Sequence, residues 1–135
     1  MTSDELNDFA ARYAKAWCSQ SPKSVAAFFA ENGSLKVNND AAEIGRAAIA
    51  EIASGFMHDF PDMIVTFDWL DPRRDAIAFH WTLAGTNTGP GGTGNRVRIS
   101  GYELWKIDND GLIAESRGYF DAAEYERQLK RVSKL

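Results

Sequence analysis

Among the side chains able to move protons, His80, Glu103 and Tyr13 fall inside apolar patterns. His80 and Glu103 sit inside two successive apolar segments, residues 76–86 and 97–107, whose period-2 pattern reads as β-strands. If those strands are neighbours, the two side chains can meet across one face. A carboxylate near a histidine holds its tautomer and raises its pKa, which makes a usable acid–base group. An apolar pocket pushes the carboxyl the other way, toward its neutral form. The same two residues also fit a buried polar pair that is mutually satisfied and inert. Tyr13 lies at helical spacing between Leu6 and Trp17, which by itself describes a core residue whose hydroxyl needs an acceptor.

Other chemistries find little footing. The two histidines, His58 and His80, fall in different elements, and Cys18 is the single cysteine, so no metal-ligand spacing is present and no metal is expected. Cys18 has no CxxC partner and reads as a small buried or half-buried residue beside Trp17. The glycines at 89, 91, 92 and 94 precede a strand, whereas a phosphate cradle needs a helix start, so no nucleotide cofactor is expected. That loop reads as a flap over a pocket mouth. A net charge of −4 argues against a nucleic-acid partner. The basic tail of Arg127, Lys130, Arg131 and Lys134 suits a helix end, as His58 suits the end of an earlier helix. Arg117 is expected to face outward and pair with Glu115. The first residues lack a basic and then apolar leader, and no apolar run is long enough to span a bilayer, so the expected location is cytoplasmic with no membrane partner.

The elements that must position these groups follow from periodicity. Residues 3–19 form an amphipathic helix with Asp4 and Glu5 at its start. Ser21 and Pro22 restart a helix that Asn32-Gly33 ends, with Val25, Phe28 and Phe29 on its buried side. Residues 34–38 form a short strand, and 45–60 form a third helix with Ile49, Ile52, Ala53, Phe56 and Phe60 along one stripe. From residue 62 the period changes to 2: strands at 63–70, 76–86, 97–107 and 112–120, the last two joined by the Asp108–Gly111 turn. Residues 121–129 form a final helix, where Asp121 is either a cap at box spacing from Glu124 or an acid at a pocket rim. Helices first and hairpin-linked strands after describe one α+β domain over residues 1–135 with an antiparallel sheet. Both faces of the second long strand carry apolar bulk, Ile77, Phe79, Trp81 and Leu83 on one and Ala78, His80, Thr82 and Ala84 on the other. One face can pack on the helices; the other is expected to bury itself in a homodimer.

Several local strings resemble one family. They are Arg12-Tyr13 with Trp17, Val25-Ala26-Ala27-Phe28-Phe29-Ala30, and Ile44-Gly45-Arg46-Ala47-Ala48-Ile49. To these are added Trp81-Thr82-Leu83-Ala84-Gly85-Thr86-Asn87-Thr88-Gly89-Pro90, Gly111-Leu112-Ile113-Ala114-Glu115-Ser116 and Arg117-Gly118-Tyr119-Phe120-Asp121. Together, over nearly the whole chain, they resemble SnoaL-like, polyketide cyclase-type proteins of the nuclear transport factor 2-like superfamily. The resemblance implies a cone: a curved antiparallel sheet packed on three N-terminal helices with a short C-terminal helix. By similarity to ketosteroid isomerases of that superfamily, His80, Thr82, Glu103, Trp105, Ser116, Gly118 and Phe120 point into the cone. Tyr13 takes the place of the oxyanion-stabilising tyrosine, and Glu103 that of a second acid donating to the same oxygen. The isomerases' proton-shuttling aspartate has no counterpart in Leu35-Lys36-Val37, and the acid that related hydrolases and cyclases carry on the last strand is replaced at Gly118.

The resulting expectation is cofactor-free acid–base chemistry of the cyclase or isomerase type on a small, apolar, carbonyl-bearing or polycyclic molecule. His80 and Glu103 shuttle protons, Tyr13 donates to the oxygen, and Trp17, Phe56, Phe60, Thr82, Trp105, Ser116, Gly118 and Phe120 line the pocket. The expectation from a different class is a non-catalytic binding or dimerisation module of the same fold.

Overall fold

Thr2 starts the first helix through a reciprocal cap: its hydroxyl accepts from the Glu5 amide at 3.1 Å, and its own amide donates to the Glu5 carboxylate at 3.0 Å. In a computed structural model, which describes residues 1–132, this helix is α1, Ser3–Cys18. It buries Phe9, Ala10, Tyr13, Ala14 and Trp17 along one stripe. Each large side chain so buried contributes about 1.5–3 kcal/mol. Then follow α2 (Pro22–Ala26), β1 (Phe29–Val37), β2 (Glu43–Ile44), α3 (Arg46–Asp59), β3 (Ile64–Pro72), β4 (Ile77–Thr86), β5 (Arg96–Ile107), β6 (Ile113–Phe120) and α4 (Ala122–Lys130). Lys134, expected in the basic tail, lies outside the described residues.

The six strands form one sheet in the order β2-β1-β6-β5-β4-β3. The helices pack on one face, giving the α+β cone expected from the sequence. The pairings are antiparallel except that β1 runs parallel to β6.

The second helix is shorter than its caps suggest. It stops at Ala26, and Phe29 already belongs to β1. The Ile113 amide donates to the Phe28 carbonyl at 2.9 Å and Phe29 lies against Ile113, so strand pairing claims residues the helical pattern had claimed. Asn32-Gly33 is therefore not a helix stop. It sits where the β1–β6 register shifts, and a Cβ at Gly33 would lie 2.7 Å from the Ile113 carbonyl oxygen. Glycine is what allows that close approach.

Register decides which side chains enter the cone. On β4 and β5, Phe79 lies opposite Glu103 and His80 opposite Tyr102. On β5 and β6, Glu103 lies opposite Gly118 and Trp105 opposite Ser116. Since side chains alternate along a strand, Phe79, Trp81, Leu83, Glu103, Trp105, Ser116, Gly118 and Phe120 share the helix-covered face. His80 and Thr82 share the other. This corrects the expectation that His80 and Thr82 point inward. His80 instead stacks on Trp69, ring centroids 4.2 Å apart at 13°, with the Tyr102 ring at 5.4 Å. Thr82 donates to Asp68 at 2.7 Å and lies 2.8 Å from the Ser100 hydroxyl.

Candidate functional site

The inner face of the sheet and helices α1, α3 and α4 line an apolar cavity that is partly open to solvent. Trp17 from α1, Phe56 from α3, Phe79 and Trp81 from β4, Phe120 from β6 and Tyr125 from α4 supply its aromatic walls. One carboxyl, Glu103, reaches it.

Glu103 is 7% exposed and its hydrogen bonds are unevenly shared. Oε1 accepts from Ser116 Oγ at 2.6 Å, the Tyr13 hydroxyl at 2.9 Å and Trp105 Nε1 at 3.2 Å. Oε2 has only the longer side of the Tyr13 contact, 3.2 Å. Three donors converging on Oε1 saturate it, so Oε2 is the oxygen with capacity left for a ligand. Burial raises the Glu103 pKa above the ordinary carboxylate value of 4.5, against hydrogen bonds from Ser116, Trp105 and Tyr13 that favour the ionised form. When the carboxyl is neutral, its proton belongs on Oε2, because Oε1 already faces donors.

Tyr13 is fully buried, at 0% exposure, within a collar of rings. Phe28, Phe79 and Trp105 lie 5.2–5.5 Å from it, centroid to centroid, in edge-on contacts. Such pairs add about 0.5–1.5 kcal/mol each beyond area burial. Its one hydroxyl proton is donated to Glu103. Burial and then the Glu103 charge push the phenol well above its ordinary value.

Tyr13 and Glu103, 90 positions apart in the chain, are thus in contact, but the Tyr13 hydroxyl donates to Glu103 and Tyr13 does not line the cavity, where the resemblance implies that both donate to one ligand oxygen. The expected Glu103–His80 pair does not form because the two lie on opposite faces of the sheet. Trp17, Phe56, Gly118 and Phe120 line the cavity. The other expected lining residues do not. Trp105 stacks on Phe79 at 4.7 Å in the core, Ser116 lies fully buried behind Glu103, and Phe60 packs beneath Tyr125. Thr82 is on the outer face.

Phe79, Trp81 and Tyr125 were missed as lining residues. The first two are the other parity of the strand on which His80 had been placed inward. Tyr125 offered no signal beyond its place in α4, where it packs against Phe60 and Phe120 and burial raises its pKa to about 12. Asp121 is the cap of α4, accepting from the Glu124 amide at 3.0 Å, and does not line the cavity. Arg117 pairs with Glu115 at 3.7 Å, and His58 lies 3.2 Å from Asp59 at the end of α3. The loop at 87–95 contributes no lining residue: the Asn87 side chain braces it, accepting from the Thr93 amide at 2.8 Å and donating to the Asp59 carbonyl at 3.1 Å. Among the described residues no group of three His, Cys, Asp or Glu gathers as a metal site, and no helix is long and apolar enough to cross a membrane.

This architecture recurs in solved structures. A protein with a ketosteroid isomerase-like fold from Catenulispora acidiphila, in complex with trimethylamine, superposes with a TM-score of 0.77 at 16% identity, covering 96% of this chain and 94% of that one. TsrD from Streptomyces laurentii gives 0.81 at 18% identity, covering 98% and 99%. SalBIII, an epoxide hydrolase/cyclase-like enzyme with a role in pyran ring formation in the polyether salinomycin, gives 0.76 at 18%, covering 92% and 97%. At such identities the likeness is one of fold. The family model for SnoaL-like polyketide cyclase matches residues 7–129, and the chain belongs to that family. No curated protein matches the chain in sequence.

Proposed function

We propose that this protein is a cofactor-free acid–base enzyme of cyclase or isomerase type, acting on a small apolar molecule that presents a carbonyl to Glu103. The observation that carries this reading is the asymmetry of Glu103, a residue that lines an apolar cavity: one oxygen is held by three donors, the other by only the 3.2 Å contact with Tyr13. A neutral carboxyl so placed hydrogen-bonds a carbonyl oxygen and strengthens that bond as charge develops on it. The same carboxyl serves twice in tautomerisation. Its Oε2 proton passes to the carbonyl oxygen, and the carboxylate then takes the proton from the adjacent carbon, returning to the acid with no net gain or loss. Tyr13 acts through Glu103 as a positioning residue, since its only proton is engaged there.

The test is solvent-deuterium incorporation next to the carbonyl of a panel of apolar aryl ketones, followed by mass spectrometry. Wild type is expected to exchange faster than Glu103→Gln. Equal rates would overturn catalysis by Glu103. One observation favours the second reading, a non-catalytic binding module: among the described residues no second carboxylate lines the cavity. Ketone binding without exchange would select it.

The outer sheet face is proposed to bury itself against a second copy of this chain. Trp69 and Ile64 are each 55% exposed there. Trp69, His80, Tyr102 and Tyr119 form a continuous row of rings across four strands. Of the neighbouring charges, Arg73 pairs with Asp71, and Lys106 and Arg117 share Glu115. Sedimentation is expected to give a dimer at micromolar concentration and a monomer for Trp69→Asp; a monomeric wild type would contradict this.

A further inference from the structure

Gly118 stands in mid-strand on β6, between Val37 of β1 and Glu103 of β5. Glycine inside a strand gives up packing and adds disorder to the unfolded chain, so its presence calls for a local reason. The backbone supplies none, because Gly118 is not among the glycines with positive φ. Steric crowding supplies none either. A Cβ there would lie 3.5 Å from the Lys36 carbonyl oxygen and 3.6 Å from Glu103 Cγ, both ordinary contacts. Gly101 on the adjoining strand is the opposite case: a Cβ there would run into the Tyr119 carbonyl and lie 2.7 Å from the Trp81 ring. The fold requires glycine at 101 and does not require it at 118.

What the missing side chain leaves at 118 is space in the cavity wall, directly beside the Glu103 side chain. We infer that Gly118 is a specificity-determining residue: the recess above it receives the carbonyl end of the ligand and seats its oxygen at Glu103 Oε2. This rests on the proposed function, because it takes the ligand to be a carbonyl compound turned toward Glu103. The rest of the molecule then lies among Trp17, Phe56, Trp81 and Phe120, where apolar contact is offered without competing polar groups.

The probes are acetophenone, an apolar ring with a carbonyl, and benzene, a ring that has no use for the recess. Binding is read from the indole N–H resonances of nitrogen-15-labelled protein, and stability from thermal unfolding. Gly118→Ala is expected to melt at or above the wild-type temperature, since alanine fits and restricts the unfolded chain. It is expected to weaken acetophenone about tenfold or more, the loss of one buried hydrogen bond, and to change benzene binding less than about twofold. Glu103→Leu, which removes both carboxyl oxygens and leaves no donor in their place, is the separate control on the underlying reading and is expected to weaken acetophenone but not benzene.

Wild-type acetophenone affinity in Gly118→Ala would overturn the recess, and would leave the reading of Glu103 standing if Glu103→Leu still weakens the ketone. A clear drop in melting temperature for Gly118→Ala would also overturn it, by showing that the fold needs the glycine. Loss of acetophenone in Gly118→Ala with no effect of Glu103→Leu would keep a recess but overturn its pairing with Oε2. Absence of binding of either probe to wild type would overturn both readings.

Discussion

Replacing Glu103 by leucine removes the acceptor on which Ser116, Tyr13 and Trp105 converge while keeping most of the side-chain volume. Each of the three donors is buried and bonds to Oε1, at 2.6, 2.9 and 3.2 Å. A buried donor left without a partner costs about 1–3 kcal/mol. The low end applies here, since the Ser116 hydroxyl can rotate and cavity water can approach, which gives a loss of about 3 kcal/mol for the three donors together. Glutamine offers a carbonyl oxygen to the same three donors and escapes that loss. The informative quantity is therefore the difference between Glu103→Leu and Glu103→Gln, in which removal of the acid is common to both. For a chain of this size it corresponds to roughly 10 °C in melting temperature. Circular dichroism at pH 7 measures it directly, and urea unfolding checks that both variants keep the wild-type m-value. If the leucine variant unfolds within about 1 kcal/mol of the glutamine variant, the converging donors are not holding Oε1 and the argument for a free Oε2 fails.

Three further outcomes are expected. Because the folded Glu103 pKa is raised, its contribution to stability is fully present below the unfolded value of 4.5 and is lost as pH rises through the folded pKa; urea midpoints should show that descent in wild type and not in Glu103→Gln. Tyr125 packs edge-on against Phe60 and Phe120, so Tyr125→Phe should retain ligand binding while Tyr125→Ala opens the cavity wall and weakens it, as read by the indole resonances. Gly101→Ala should destabilise by about 1–3 kcal/mol in urea unfolding, since its Cβ meets backbone and the Trp81 ring with no room to relax.

Most of the elements were legible because their signals are local. The acidic start at Asp4 and Glu5, the stripe through Tyr13 and Trp17, the Ser21-Pro22 start, the Asp108–Gly111 turn and the Asp121 cap each depend on a few neighbouring residues. The face assignment of β4 was not local. His80 and Glu103 belong on one face only if the strand register pairs residues of opposite parity, and the connection between the two strands is a long loop that leaves the register open to either choice. The observed register pairs Phe79 with Glu103, which sends His80 outward with Thr82 and brings in Phe79, Trp81 and Leu83. The extent of α2 failed for a related reason: a parallel partner strand far along the chain took Phe29 out of a helical pattern. The resemblance placed Tyr13 and Glu103 at one site, but the hydrogen bond from Tyr13 to Glu103 appears only in the structure. Periodicity marked each as buried without indicating that a helix at one end and a strand near the other would meet. Tyr125 became a lining residue only through the docking of α4, which no spacing in the sequence describes.

The account turns on Glu103 being a neutral acid at the cavity, so the most direct measurement is a carbon-13 NMR titration of its carboxyl, assigned by comparison with Glu103→Gln. The expected result is a midpoint clearly above the ordinary carboxylate value of 4.5, lowered when Ser116→Ala is replaced by the native serine, because the serine hydrogen bond favours the ionised form. A midpoint at or below 4.5 would show a carboxylate stabilised by its three donors, and would contradict the proton on Oε2 from which the proposed chemistry starts.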